Sequence, residues 1–249
     1  MVTIYIHGFS GDKDGLAVFA RAMQQEKYHL YSLPGFGGIP VSSSARDNFD
    51  VYLSVIYDEL VALYPGEPFH LVGHSYGGMI AYALAATYPK QIRRLTLVSP
   101  VRSPNIMSRI TSHTTAIAAR YLPQPLVVRL LSNPLLVDSI SRYMSRHESH
   151  EGRQKVKRMR RDETKYYNRD MLQLSRHVGQ FRKKFACSYI DIPTMLVVAK
   201  YDNIASPDDS RWYISHCRSR VKVIENDGGH LRVVTDPEQI AAALHENNL

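Results

Sequence analysis

Short β-branched runs and helix-compatible stretches take turns along most of this 249-residue chain, and the alternation restricts the fold sharply. Val2–Ile6, Tyr28–Leu33, Phe69–Gly73, Leu95–Ser99, Thr194–Ala199 and Val221–Glu225 read as strands ending in loops. Between them Gly15–Gln25, Asn48–Tyr64, Gly77–Tyr88, Ser206–Ser215 and Pro237–Glu246 read as helices, the last opened by Asp236-Pro237. Strands separated by helices pair in parallel through right-handed crossovers. The expected fold is therefore α/β: a doubly wound, mainly parallel sheet of about six strands with helices on both faces.

The alternation lapses between Pro100 and Asp191. There Leu, Ile, Val and Met follow helical spacing, broken by Pro104, Pro123, Pro125 and Pro134 and then by Gly152. Residues 1–100 and 190–249 are read as the core domain, and 101–189 as an inserted helical lid. An enlarged helical layer over the sheet is the plainer alternative. The position directly after a strand end, where ligands sit in such sheets, favours the lid.

Charge divides the chain in the same way. The net +8 conceals a segment from Arg102 to Lys184 with 18 Lys and Arg against 6 Asp and Glu, so that segment carries +12 and the remainder −4. Capture of an anionic substrate, contact with an acidic membrane surface and a merely solvated face all remain open for it. Nucleic acid is not an expected partner, since the basic run around Lys155–Arg161 lacks any recognisable binding module.

The hydrophobic content of 44% suits one sizeable core and excludes disorder. Cys187 and Cys217 are too few for a disulfide framework and too far apart for a metal or redox motif. No metal or cofactor is expected. The start Met-Val-Thr-Ile-Tyr-Ile-His-Gly lacks the basic and apolar regions of a signal peptide, and no apolar run approaches membrane-spanning length. A cytoplasmic protein without stable membrane insertion is expected; oligomeric state is left open.

Gly73-His74-Ser75-Tyr76-Gly77 matches GxSxG between a predicted strand and an Ala-rich predicted helix. A strand turning sharply into a helix strains the serine backbone, and side chains at the flanking positions would collide, hence the glycines. The serine then stands at a helix N-terminus, where N–H groups stabilise developing negative charge.

A serine hydroxyl needs a base, and the base needs a carboxylate to fix its tautomer. His230, in Asp227-Gly228-Gly229-His230 after the last predicted strand, falls on a loop at the same sheet edge as Ser75. His7 and His74 are rivals, but each adjoins a tight turn where packing or hydrogen bonding is the simpler role. Asp202 follows the strand Thr194–Ala199 and lies between serine and histidine in chain order. Asp208 and Asp209 suit a helix N-terminus. For an oxyanion, Tyr76 offers one backbone N–H and Phe9, in His7-Gly8-Phe9, a second.

Taken together, His7-Gly8-Phe9, Leu33-Pro34-Gly35-Phe36-Gly37, Gly73-His74-Ser75-Tyr76-Gly77-Gly78, Asp202 and His230 resemble the α/β-hydrolase superfamily over nearly the whole chain except the lid. The resemblance implies a lidded serine hydrolase: Ser75, His230 and Asp202 catalytic, Phe9 and Tyr76 lining the oxyanion hole, and a small-molecule acyl substrate, anionic if the basic lid serves capture. A carbon–carbon hydrolase or lyase with the same triad, and a ligand-binding receptor of the same fold, are the alternatives. A serine in place of aspartate as nucleophile argues against the haloalkane dehalogenase and epoxide hydrolase branches. Two departures stand out. The His-Gly strand begins at Val2, where family members place two strands earlier, so six strands are expected and not eight. Ala199-Lys200-Tyr201-Asp202 replaces the usual Gly-x-x-Asp.

Overall fold

A computed structural model describes residues 1–103 and 121–247. Six strands, β1 (Val2–Ile6), β2 (Tyr28–Tyr31), β3 (Phe69–His74), β4 (Ile92–Val98), β5 (Thr194–Ala199) and β6 (Val221–Asn226), form one sheet in the order β2-β1-β3-β4-β5-β6. Every pairing is parallel. The chain steps outward from β1 to β2, then returns to the other side of β1 to place β3. That reversal opens a crevice beyond the ends of β1 and β3.

The central strands are buried on both faces, as their unbroken apolar character requires. Because side chains alternate, each strand feeds two cores. Ile4, Ile6, Leu71 and Leu97 join one, packed by α3 (Phe49–Leu63) and α4 (Tyr76–Thr87). Tyr5, Val72, Val98 and Val197 join the other, against α1 (Ala17–Ala22) and the C-terminal helix Pro237–Glu246. Helix α4 is buried from Tyr76 to Ala85, which explains its small, uncharged residues.

The elements differ from the sequence reading mainly at their ends. β2 stops at Tyr31, and β4 starts at Ile92, where Arg93 and Arg94 mask the strand pattern. The first predicted helix is a 3-10 turn over Lys13–Leu16 followed by α1. Two short helices escaped the pattern: α2 (Ser43–Asp47), capped by the Ser42 hydroxyl accepting from Ala45 N–H, and Arg232–Thr235. Each is too short to show a 3.6-residue period.

Between β4 and β5 the described residues hold five helices: α5 (Gln124–Leu131), α6 (Pro134–Met144), α7 (His150–Glu163), α8 (Arg169–Leu174) and α9 (His177–Lys184). Pro123, Pro125 and Pro134 mark helix starts, as prolines at first-turn positions do; Pro104 lies outside the described residues. Gly152 corrects the sequence reading. It sits inside the first turn of α7 and breaks nothing; a Cβ there would approach Glu148 Cβ and Thr235 Cβ to 3.2 Å, so glycine allows close packing. After β5 come α10 (Pro207–Ser215), α11 (Arg232–Thr235) and α12 (Pro237–Glu246). Among the described residues no helix is long and apolar enough to cross a membrane.

Candidate active site

Ser75 caps α4 with φ 55° and ψ −117°, a conformation that ordinary residues avoid. The strain is enforced by crowding. A Cβ on Gly73 would lie 2.4 Å from Gly77 O, and one on Gly77 would lie 2.2 Å from Ile6 O. The Ser75 N–H donates to Val98 O at 2.9 Å, tying the turn to β4.

His230, 155 residues further on, comes within hydrogen-bond reach of Ser75. The Ser75 hydroxyl donates to His230 Nε2 at 2.8 Å, and Nδ1–H donates to Asp202 Oδ2 at 2.9 Å and Oδ1 at 3.0 Å. An ionised carboxylate only accepts, so the Nδ1 proton is fixed and Nε2 is left as the acceptor. All three groups are nearly shut off from solvent. Burial by itself would raise the Asp202 carboxyl, but attraction to His230, their hydrogen bond and the Ile204 and Ala205 N–H groups outweigh it and hold the group below the usual carboxylate range.

The rival histidines have other partners. His7 donates from Nδ1 to Gly8 O at 2.8 Å and accepts Leu33 N–H at Nε2, 3.1 Å. His74 donates from Nε2 to the His230 carbonyl at 3.0 Å. Burial keeps both neutral, lowering His7 to about 4 and His74 to about 3. Asp209 forms a capping box with Ser206 and accepts Ser103 N–H at 2.9 Å, while Asp208 is exposed beside Arg211.

Gly8 lies against the turn: a Cβ there would meet Ser75 Cβ at 3.4 Å. The Phe9 ring packs edge-on against Tyr76, centroids 5.5 Å apart, so the two residues expected to supply oxyanion donors are brought together. A cleft of about 200 Å³ reaches Ser75 and His230 and is lined also by Phe9, Met144, Met159, Arg160 and Leu231. Arg160 pairs with Glu163 at 2.8 Å, both largely buried. Burial drives the Glu163 carboxyl up to about 7 against the pull of Arg160. A second cavity of about 350 Å³ shares Met159, Glu163 and Val234 with the first and adds Asp12, Asp14, Asp162, Lys155 and Lys165.

Residues 3–237 match the family model described as the alpha/beta hydrolase fold. The chain is an α/β-hydrolase. Lipase 1 of Psychrobacter immobilis is 38% identical over 97 residues, a stretch covering 38% of this chain and 30% of that lipase. Lipase 3 of Moraxella sp. is 26% identical over 243 residues, 93% of this chain and 72% of that protein. In three dimensions the hydrolase is similar to the enol-lactonase from Burkholderia xenovorans LB400, with a TM-score of 0.77 at 15% identity over 98% of this chain and 90% of that one. The sequence reading missed Glu148, which sits against the His230 loop of the hydrolase; no local pattern in the basic segment singles it out.

Proposed function

We propose that the protein is a serine hydrolase that cleaves an ester or related acyl bond of a small molecule, with Ser75 as nucleophile, His230 as general base and Asp202 as its orienting carboxylate. The supporting observation is the unbroken relay from Ser75 Oγ through the His230 ring to Asp202, at 2.8 and 2.9 Å. Ser75 Oγ attacks the acyl carbon as His230 Nε2 takes its proton, and the carbonyl oxygen becomes an oxyanion held by the Phe9 and Tyr76 N–H groups. His230 then passes the proton to the leaving group, giving acyl-Ser75. Water, deprotonated by His230, releases the acid. The Lipase 1 and Lipase 3 names accord with ester cleavage.

Residues 101–189 serve as the lid in this reading, since Met144, Met159 and Arg160 line the cleft that holds Ser75. The substrate is acyl and uncharged near the bond cleaved. Arg161 and Lys157 are both engaged by Asp138, at 3.0 and 2.7 Å, and Arg160 by Glu163. With Asp12, Asp14, Asp162 and Glu163 set against Lys155 and Lys165 around the adjoining cavity, its lining does not share the net positive charge of the segment. These pairings favour a solvated face over anion capture. The two free thiols, Cys187 and Cys217, suit a cytoplasmic setting.

The test is Ser75→Ala against a chromogenic ester, with fluorophosphonate labelling of the parent. Turnover should vanish in the variant and label should map to Ser75. Near-parental turnover by Ser75→Ala would refute the assignment, and fewer than a few turnovers by the parent would point to a receptor.

A further inference from the structure

Glu148 lies in the turn between α6 and α7, has no side-chain surface exposed to solvent, and points away from the basic exterior of its own segment into the loop after β6. Its Oε1 accepts the Gly229 N–H at 3.0 Å and its Oε2 accepts the Thr235 hydroxyl at 2.7 Å. The Arg232 guanidinium, itself shared with Asp236, stands 3.6 Å from Oε2. One buried carboxylate thus holds both ends of the stretch that carries His230. A buried carboxylate is unfavourable unless donors surround it, and here the donors come from that single stretch.

The arrangement gains its meaning from what lies between. Gly229 immediately precedes His230, and the His230 carbonyl on the other side is fixed by His74 Nε2–H at 3.0 Å. The Gly228–Gly229 peptide, one residue before the base, and the His230–Leu231 peptide directly after it are therefore both held by side chains from outside the loop. Neighbouring contacts extend the clamp to the loop of Asp202. The His147 ring stacks on Tyr201, centroids 5.1 Å apart; the Tyr143 hydroxyl donates to Asn203 O at 3.2 Å; and Tyr201 N–H donates to Gly228 O at 3.1 Å.

Resting on the reading of Ser75, His230 and Asp202 as catalytic, we propose that Glu148 is a positioning residue that holds the His230 loop in register, so that the helical segment between β4 and β5 sets the geometry of the general base as well as covering the cleft. Glu148 touches no reacting atom and acts through the Gly229 amide. A displacement of about 1 Å in a catalytic group costs on the order of 100-fold in rate, so loss of the clamp should appear in kcat and in the reactivity of Ser75 while substrate binding stays nearly unchanged.

The experiment compares Glu148→Ala, Glu148→Asp and Glu148→Gln in the full chain, with Val156→Ala in α7 as a control that removes buried apolar contact away from the cleft. Steady-state kinetics on a chromogenic ester and the rate of fluorophosphonate labelling are read together with thermal unfolding. Glu148→Ala should lower kcat and the labelling rate by about 10- to 100-fold with KM changed less than about threefold. Glu148→Gln, whose amide oxygen can still accept from Gly229, should recover most of the rate. Val156→Ala should lose stability and keep its kcat. Should Glu148→Ala fail to fold, Glu148→Asp, which keeps the charge but withdraws the oxygens by one carbon, still must lower kcat. Parental kcat and labelling in folded Glu148→Ala or Glu148→Asp, or a loss that merely parallels the loss of stability as in Val156→Ala, would overturn the proposal. Ser75→Ala is run alongside: activity surviving in it would instead refute the underlying catalytic reading.

Discussion

Asp202 and Asp209 lie seven residues apart, and their surroundings give them different work. Asp202 grips the His230 ring and accepts two N–H groups from its own loop, and these hold its carboxyl below the usual range in spite of burial. Asp209 caps α10, and burial raises its carboxyl in spite of the N–H groups it accepts. Asp202→Asn should lower kcat by roughly 10⁴, because an amide can no longer dictate which ring nitrogen carries the proton. Asp209→Asn should instead cost on the order of 1 kcal/mol of stability, read as a lower urea midpoint, and leave kcat near parental. The reverse pattern would mean that the wrong carboxylate has been assigned to the histidine.

At the scale of elements, the turn from β3 into α4 is a crowded junction. A methyl group on Gly77 would have to share space with Ile6 O at 2.2 Å and His7 O at 2.4 Å, both backbone atoms of the strand that carries the Gly8-Phe9 loop. Gly77→Ala should therefore destabilise by several kcal/mol or abolish folding. Gly179, inside α9 with nothing within 4 Å of an added Cβ, provides the contrast: Gly179→Ala should stabilise by up to about 1 kcal/mol. Equal effects in chemical unfolding would show that crowding at the elbow is not what selects glycine. The same contrast explains what the sequence disclosed. The six strands, Ser75 between its glycines, and the order Ser75, Asp202, His230 were legible because each depends on a local pattern placed at a strand end. The short helices α2 and α11 carry no period to detect. Glu148 on Gly229 spans 81 residues of chain, and Asp138 engaging Lys157 and Arg161 is also a tertiary fact. The +12 between Arg102 and Lys184 was therefore countable, but its partial neutralisation was not.

For the molecule as a whole, four neutral histidines are built into the core packing. His7 and His74 flank the elbow, His70 bonds Thr96 across β3 and β4, and His177 accepts the Tyr76 hydroxyl at Nδ1 while donating to Arg46 O. Burial lowers all four, His70 and His74 to about 3 and His7 and His177 to about 4. In the unfolded chain each would titrate near 6.5, so below that pH the unfolded state binds protons that the folded state refuses. Stability should thus fall as pH drops from 6.5 toward 4. Between pH 7.5 and 5.5 each histidine contributes a loss of about 1.4 kcal/mol, and four together about 5. Glu163 works in the opposite direction: raised to about 7, it takes up a proton more readily folded than unfolded and returns about 2 kcal/mol over the same interval. The net expectation is a loss of about 3 kcal/mol, measured as a lower urea midpoint at pH 5.5 than at pH 7.5. His70→Gln, which can keep a hydrogen bond to Thr96 but cannot take up a proton, should remove about a quarter of the histidine contribution and flatten the dependence. A midpoint that held steady or rose at pH 5.5 would show that these histidines accept protons in the folded state, and that the core around them is wetter than its packing indicates.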